Sequence, residues 1–294
     1  MKKTAAIALL LPLCACAVTV TSSTQTQTAA TQFDQAAHSV DTLQIAYDKS
    51  IQANECRAWV YDQAYAYATS KTAPINLAAT CQPVSITDQQ IANRQALMDA
   101  ISLYADDLAA IATAGDDTAL AANNQTLATK INAEMKAGGF TNMQVAAGVE
   151  SAISGLTDMA LDHTKQTDIR AAAAAQQDNL ATVVGVLETE NTSLASSFPS
   201  NAGDIRAKFA AALAYTRKSE GPAVFFSVIQ ANDILESFPA EAGTAATALN
   251  AALEGLLKAN QALATADDPG LMADISDLVA RVQTAQAMQA AVAK

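Results

Sequence analysis

The residues whose types could do chemistry in this 294-residue chain are few. They are two histidines, four cysteines, three pairs of adjacent aspartates and a concentration of tyrosines. A di-iron site inside a helical bundle needs a glutamate three residues before each histidine. Gln35 precedes His38 at that spacing and Ala160 precedes His163, so that site is not encoded. The chain also lacks an HExxH zinc helix, a Walker loop, a Rossmann glycine pattern and a C-x-x-C-H haem attachment. His38 and Asp41 could give two ligands to a metal, but the pair reads more simply as a solvated surface. His163 falls at an expected helix C-terminus, where the helix dipole favours it. Asp106-Asp107, Asp116-Asp117 and Asp267-Asp268 do not have EF-hand spacing. Two of these pairs stand where helices start and serve as caps. No catalytic residue, metal or cofactor is therefore expected, and the chain does not read as an enzyme.

The aromatic residues offer a different kind of site. Tyr47, Tyr61, Tyr65 and Tyr67, four of the six tyrosines, lie within 21 residues together with Trp59, the one tryptophan. Aromatic rings with polar tips suit a ligand pocket or a partner surface. The same spacing also fills a core in a chain otherwise short of large side chains, and that simpler reading is preferred.

The elements that must hold these residues begin with an address. Lys2 and Lys3 precede a short apolar run, Ala5 to Leu13, and small residues follow at Ala15 and Ala17. Such a run is too short for a permanent span and reads as a signal peptide over residues 1–15. Two cuts are open. Ala15-Cys16-Ala17 fits the small-x-small pattern and releases a soluble protein. Leu13-Cys14-Ala15-Cys16 resembles the bacterial lipobox, with Cys14 an unusual residue at its position. That resemblance implies that Cys16 becomes the lipidated first residue. Ala17, where an aspartate would hold such a protein at the inner membrane, implies the outer membrane.

Residues 16–32 are rich in Thr, Ser, Gln and Ala and read as a disordered tether. With Cys14 in the leader and Cys16 in the lipid or tether, Cys56 and Cys81 remain. An oxidising compartment favours one disulfide between them over two free thiols.

Composition narrows the partners. The net charge is −12, and loss of Lys2 and Lys3 with the leader makes it −14. That balance argues against nucleic acid and against docking on anionic lipid heads. Charged residues make up 16% and apolar ones 51%, which is far from a disordered composition. Much of the apolar share is alanine, the best helix former.

Helical period then organises residues 33–294. Val40, Leu43, Tyr47, Ile51, Asn54, Ala58, Tyr61 and Tyr65 form one stripe of a long first helix, and Ile45, Cys56, Val60 and Tyr67 fall on nearly the opposite side with Trp59 beside them. Pro74 and Pro83 bound a loop that a Cys56–Cys81 bridge would fold back over that second face. Thr87 with Gln90 has capping-box form. Leu97, Ile101, Tyr104, Leu108 and Ile111 follow as a coiled-coil-like seam.

A further helix carries Leu120, Leu127 and Ile131. The next, capped by Thr141 and Gln144, runs from Val145 to about His163. Helix continues over 166–197 and is expected to break at Phe198-Pro199, where the domain is open to subdivision near 198–203. Pro239 is expected to break another, and Pro222 and Pro269 suit helix starts. Strand alternation is absent. The fold expected is all-α, an up-and-down antiparallel bundle of six to nine helices.

With its leader, its Thr/Gln tether, its tyrosine-bearing helix and the segment QQIANRQALMDAISLYADDLAAIA, the chain resembles a class of uncharacterised proteobacterial helical lipoproteins. The resemblance implies location and fold and brings no activity or site residue. The function expected is a non-catalytic periplasmic lipoprotein, an interaction or structural module of the cell envelope. Its partners would be the membrane, through the lipid, and an envelope protein. The alternative is a small-molecule-binding bundle that uses the Tyr/Trp region.

Overall fold

The computed structural model describes residues 11–70, 81, 85–113, 149–161, 169–219, 222–265 and 268–292. Among them the chain is all-helical: α1 (Leu11–Ser70), α2 (Asp88–Thr113), α3 (Val149–Leu161), α4 (Ile169–Ser219), α5 (Pro222–Thr265) and α6 (Asp268–Val292). The expected helix through Leu120 and Ile131, the Thr141–Gln144 cap and His163 lie outside the described residues.

Local chemistry sets several of the helix starts. The Thr87 backbone N–H donates to Gln90 Oε1 at 2.8 Å and the Gln90 N–H donates to Thr87 Oγ1 at 3.3 Å, a reciprocal cap for α2. Pro222 and Pro269 stand in the first turns of α5 and α6, where a missing N–H costs nothing.

Cross-helix contacts fix the directions of the long helices. Phe33 of α1 meets Tyr104 of α2, and Asp48 meets Arg94, so α2 runs opposite to α1. Asn260 of α5 bonds the Ala173 carbonyl of α4, and Asn250 bonds that of Glu188, so α5 runs opposite to α4. Tyr104 reaches Asn260 while Arg94 reaches Asn191, which sets α4 parallel to α1. Arg281 of α6 donates to the Ala251 carbonyl and Gln289 to Ser50, so α6 rises beside α1. Gly255 marks a close approach of α5 and α6: a Cβ there would stand 3.1 Å from Leu278 Cδ1.

The core follows from the expected stripes and then exceeds them. Val40, Tyr47 and Ile51 of α1, and Leu97, Ile101, Tyr104 and Leu108 of α2, are fully buried. Every residue from Ala96 to Ala105 is also buried, so α2 is covered all round and not along one seam. Buried alanines such as Ala37, Ala100, Ala173 and Ala259 carry no bulk that would keep neighbouring backbones apart.

Three boundaries differ from expectation. Residues 24–32 are not a tether: they are helix, with Ala29 and Ala30 fully buried. The threonine hydroxyls there bond back to carbonyls one turn earlier, Thr28 to Thr24 and Thr31 to Gln27, and the alanines complete the face that Phe33 and Ala37 continue. Phe198-Pro199 does not end a helix, because α4 runs through it and through the subdivision point at 198–203. Pro239 lies inside α5. Burial of Phe238 and Ala242 on either side holds that helix together across the lost hydrogen bond, a local penalty of about 3 kcal/mol.

Candidate functional site

Two polar layers cross the apolar interior. In the upper layer Arg94 of α2 makes a two-pronged pair with Asp48 of α1, Nε to Oδ2 and Nη2 to Oδ1, both at 2.8 Å. Arg94 Nη2 also donates to Asn191 Oδ1 of α4, and Glu190 Oε2 lies 3.8 Å from Nη1. Gln44 Nε2 donates to Asp48 at 3.0 Å and to Asn191 at 2.9 Å. Asn191 in turn donates to Asn250 of α5 at 2.9 Å. One network thus joins α1, α2, α4 and α5. Burial pushes the Asp48 carboxyl upward, and Arg94 and Gln44 pull against that.

In the lower layer the Tyr104 hydroxyl donates to Asn260 Oδ1. Asn260 Nδ2 donates to the Ala173 carbonyl at 3.1 Å and to Gln177 Oε1 at 2.7 Å.

Beside the lower layer, α1 and α2 bring together a group with a different character. Asp34 and His38 lie one turn apart on α1, with Nε2 of the imidazole 3.4 Å from Asp34 Oδ1. The same Nε2 lies 2.9 Å from Asp106 Oδ1 of α2. One ligand atom from each of the three residues falls within 4.8 Å of the others. Burial and the neighbouring Asp106 carboxylate raise Asp34 to about 6, and His38 opposes this. His38 is raised chiefly by its hydrogen bond to Asp106. Asp107, fully buried, is raised to about 7 by burial and by Asp106. Such a set can hold a proton between carboxylates or bind a cation.

The residues singled out in the sequence scatter differently. Cys56 and Cys81 are joined in a disulfide with Cα atoms 5.5 Å apart. The returning chain is fastened nearby: the Ser85 N–H donates to Glu55 Oε1 at 3.0 Å and Gln52 donates to Asp88 at 2.6 Å. Tyr47 is fully buried next to the Arg94 layer, its hydroxyl without a hydrogen bond, and burial raises it above the ordinary tyrosine range. Trp59 is half-buried. The side chains of Tyr61, Tyr65, Tyr67 and Cys16, and the loop residues expected to cover Trp59, lie outside the described part. A groove of ≈ 290 Å³ between α1 and α6 is lined by Gln32, Gln35, Ala36, Ser39, Val279, Val282, Gln283 and Gln286, none of them aromatic.

No family model, curated protein or solved structure matches this chain.

His38 was paired in sequence with Asp41, three residues on. Its ion-pair partners are Asp34, four residues back, and Asp106, 68 residues on, while the charge of Asp41 also acts on it. The i, i+4 spacing of Asp34 and His38 was a readable signal. The approach of Asp106 was not, because it depends on the register of α2 against α1.

Proposed function

We propose that the chain is a non-catalytic lipoprotein of the cell envelope, processed at Cys16, held at the outer membrane by its lipid and facing the periplasm. It resembles proteobacterial helical lipoproteins in its leader and helical character, and its body is read as an up-and-down antiparallel bundle of six to nine helices. The role is that of an interaction or structural module with an envelope protein as partner.

The observation that carries this reading is the polarity of α1. Cys16 and the buried Phe33 belong to one helix, about 25 Å apart at 1.5 Å per residue. The α4–α5 pair extends in the other direction. From the Asn191–Asn250 bond each of its helices runs 28 residues, or about 42 Å, to its end at Ser219 or Pro222. Anchor and arm thus stand at opposite ends, which suits a module that presents a surface away from a membrane. The Cys56–Cys81 bridge fits an oxidising compartment. No described helix is long and apolar enough to cross a membrane. The attachment proposed is the lipid on Cys16. The alternative is a small-molecule-binding bundle that uses the Tyr/Trp region; of that region Tyr47 is fully buried and Trp59 half-buried, and the side chains of Tyr61, Tyr65 and Tyr67 lie outside the described residues.

Cell fractionation of Cys16→Ser tests the reading. The wild-type protein should sediment with outer membrane and the variant should appear in the soluble periplasm. Identical fractionation of the two would contradict it.

A further inference from the structure

We propose that Asp34, His38 and Asp106 form a binding site for one divalent cation of the zinc class, clamped between α1 and α2. The donor set is mixed, one imidazole nitrogen and two carboxylates, and so is not a cluster of acids alone. Imidazole favours zinc and its neighbours over magnesium and calcium, which take oxygen ligands. The distances fit. Ligands about 2.1 Å from a tetrahedral zinc stand about 3.4 Å apart. The Asp34–His38 edge is 3.4 Å and the His38–Asp106 edge is 2.9 Å, so small side-chain rotations open the site to the required size.

A second observation points to a ligand. Asp34 Oδ1, one of the three donor atoms, is screened from solvent and accepts no hydrogen bond. Asp34 and Asp106 stand on facing helices with His38 between them, and one divalent cation would bridge all three.

The frame behind the donors is rigid. Phe33 and Tyr104 meet edge to face with centroids 6.2 Å apart, and Ala37 and Ala105 are fully buried. Donors on such helices need little ordering when the ion binds. Half the His38 side chain remains exposed, so the ion can enter from solvent and keep a water as its fourth ligand.

The test is calorimetric titration of chelator-stripped protein with zinc chloride, run on wild type, His38→Gln, Asp106→Asn and the double variant. All three ligands are at least partly exposed, and circular dichroism checks that each variant stays folded. Loss of a hydrogen-bonded partner behind a ligand commonly lowers metal affinity about 10–100-fold, so loss of a ligand should do at least that. Wild type should bind one zinc per chain and each single variant should bind it at least about tenfold more weakly. Zinc X-ray absorption should report nitrogen and oxygen ligands at about 2.0–2.2 Å and no sulfur. Failure of the wild type to bind zinc, unchanged affinity in the folded double variant, or a sulfur-containing shell would each overturn the proposal.

Discussion

Arg94 and Asp48 have side chains only 2% and 1% exposed, so their charges are removed from water almost completely. Attraction between such a pair does little more than offset desolvation, but removing one partner strands the other. Arg94→Met alone should therefore lower stability by about 3–5 kcal/mol, read as a shifted urea midpoint. Adding Asp48→Leu to that variant should recover part of the loss, since no buried carboxylate is left uncompensated. A single variant within about 1 kcal/mol of wild type would mean that water reaches the pair.

The sequence concealed this network for a definite reason. Helical period reports which residues share a face, and it placed Val40, Tyr47 and Ile51 correctly. It does not say how many faces are covered. Arg94 falls three residues before Leu97 on the seam's own spacing, Asp99 and Asp107 sit off it, and all three are buried because α2 is surrounded. The partners of Arg94 come from helices 46 and 97 residues away, and no local pattern encodes them.

Among the elements, the junction from α1 to α2 was the most legible. The Thr87–Gln90 cap and the Cys56–Cys81 pair both depend on short-range chemistry, residue type and compartment, and both are present. Pro222 and Pro269 fall at helix starts as expected, whereas Pro199 and Pro239 misled because the rule used for them was equally local. Phe238 and Ala242 are buried on both sides of Pro239, and packing outweighs a single missing donor.

The bridge closes a separation of 25 residues. On the chain-entropy model its loss should cost about 3–4 kcal/mol. Cys56→Ser with Cys81→Ser should show that drop in the denaturation midpoint while circular dichroism retains the helix. Thiol titration of the unfolded, unreduced wild type should find neither cysteine reactive. Two free thiols would remove the staple, leaving the Glu55–Ser85 and Gln52–Asp88 bonds as the fastening of this junction.

At the scale of the molecule, charge bears on the proposed anchorage. A net charge of −12, or −14 if the proposed leader is lost, disfavours docking on anionic lipid heads. On the proposed reading, attachment would depend on the acyl chains. The helical continuity from Cys16 to Phe33 was hidden by composition, since a Thr, Ser, Gln and Ala stretch lacks the apolar residues that normally announce a packed helix. Alanines at 29 and 30 supply the buried face without announcing it. A helix in that place would give the proposed anchor a fixed direction relative to the core, which a flexible tether would not.

Intact-mass spectrometry of the native protein, taken from the envelope without reducing agent, tests the anchored and oxidised state most directly. The expected species begins at Cys16, carries acyl chains on that residue, and is two hydrogens lighter than the reduced chain because Cys56 and Cys81 are joined. An unacylated chain beginning at Val18 would contradict it.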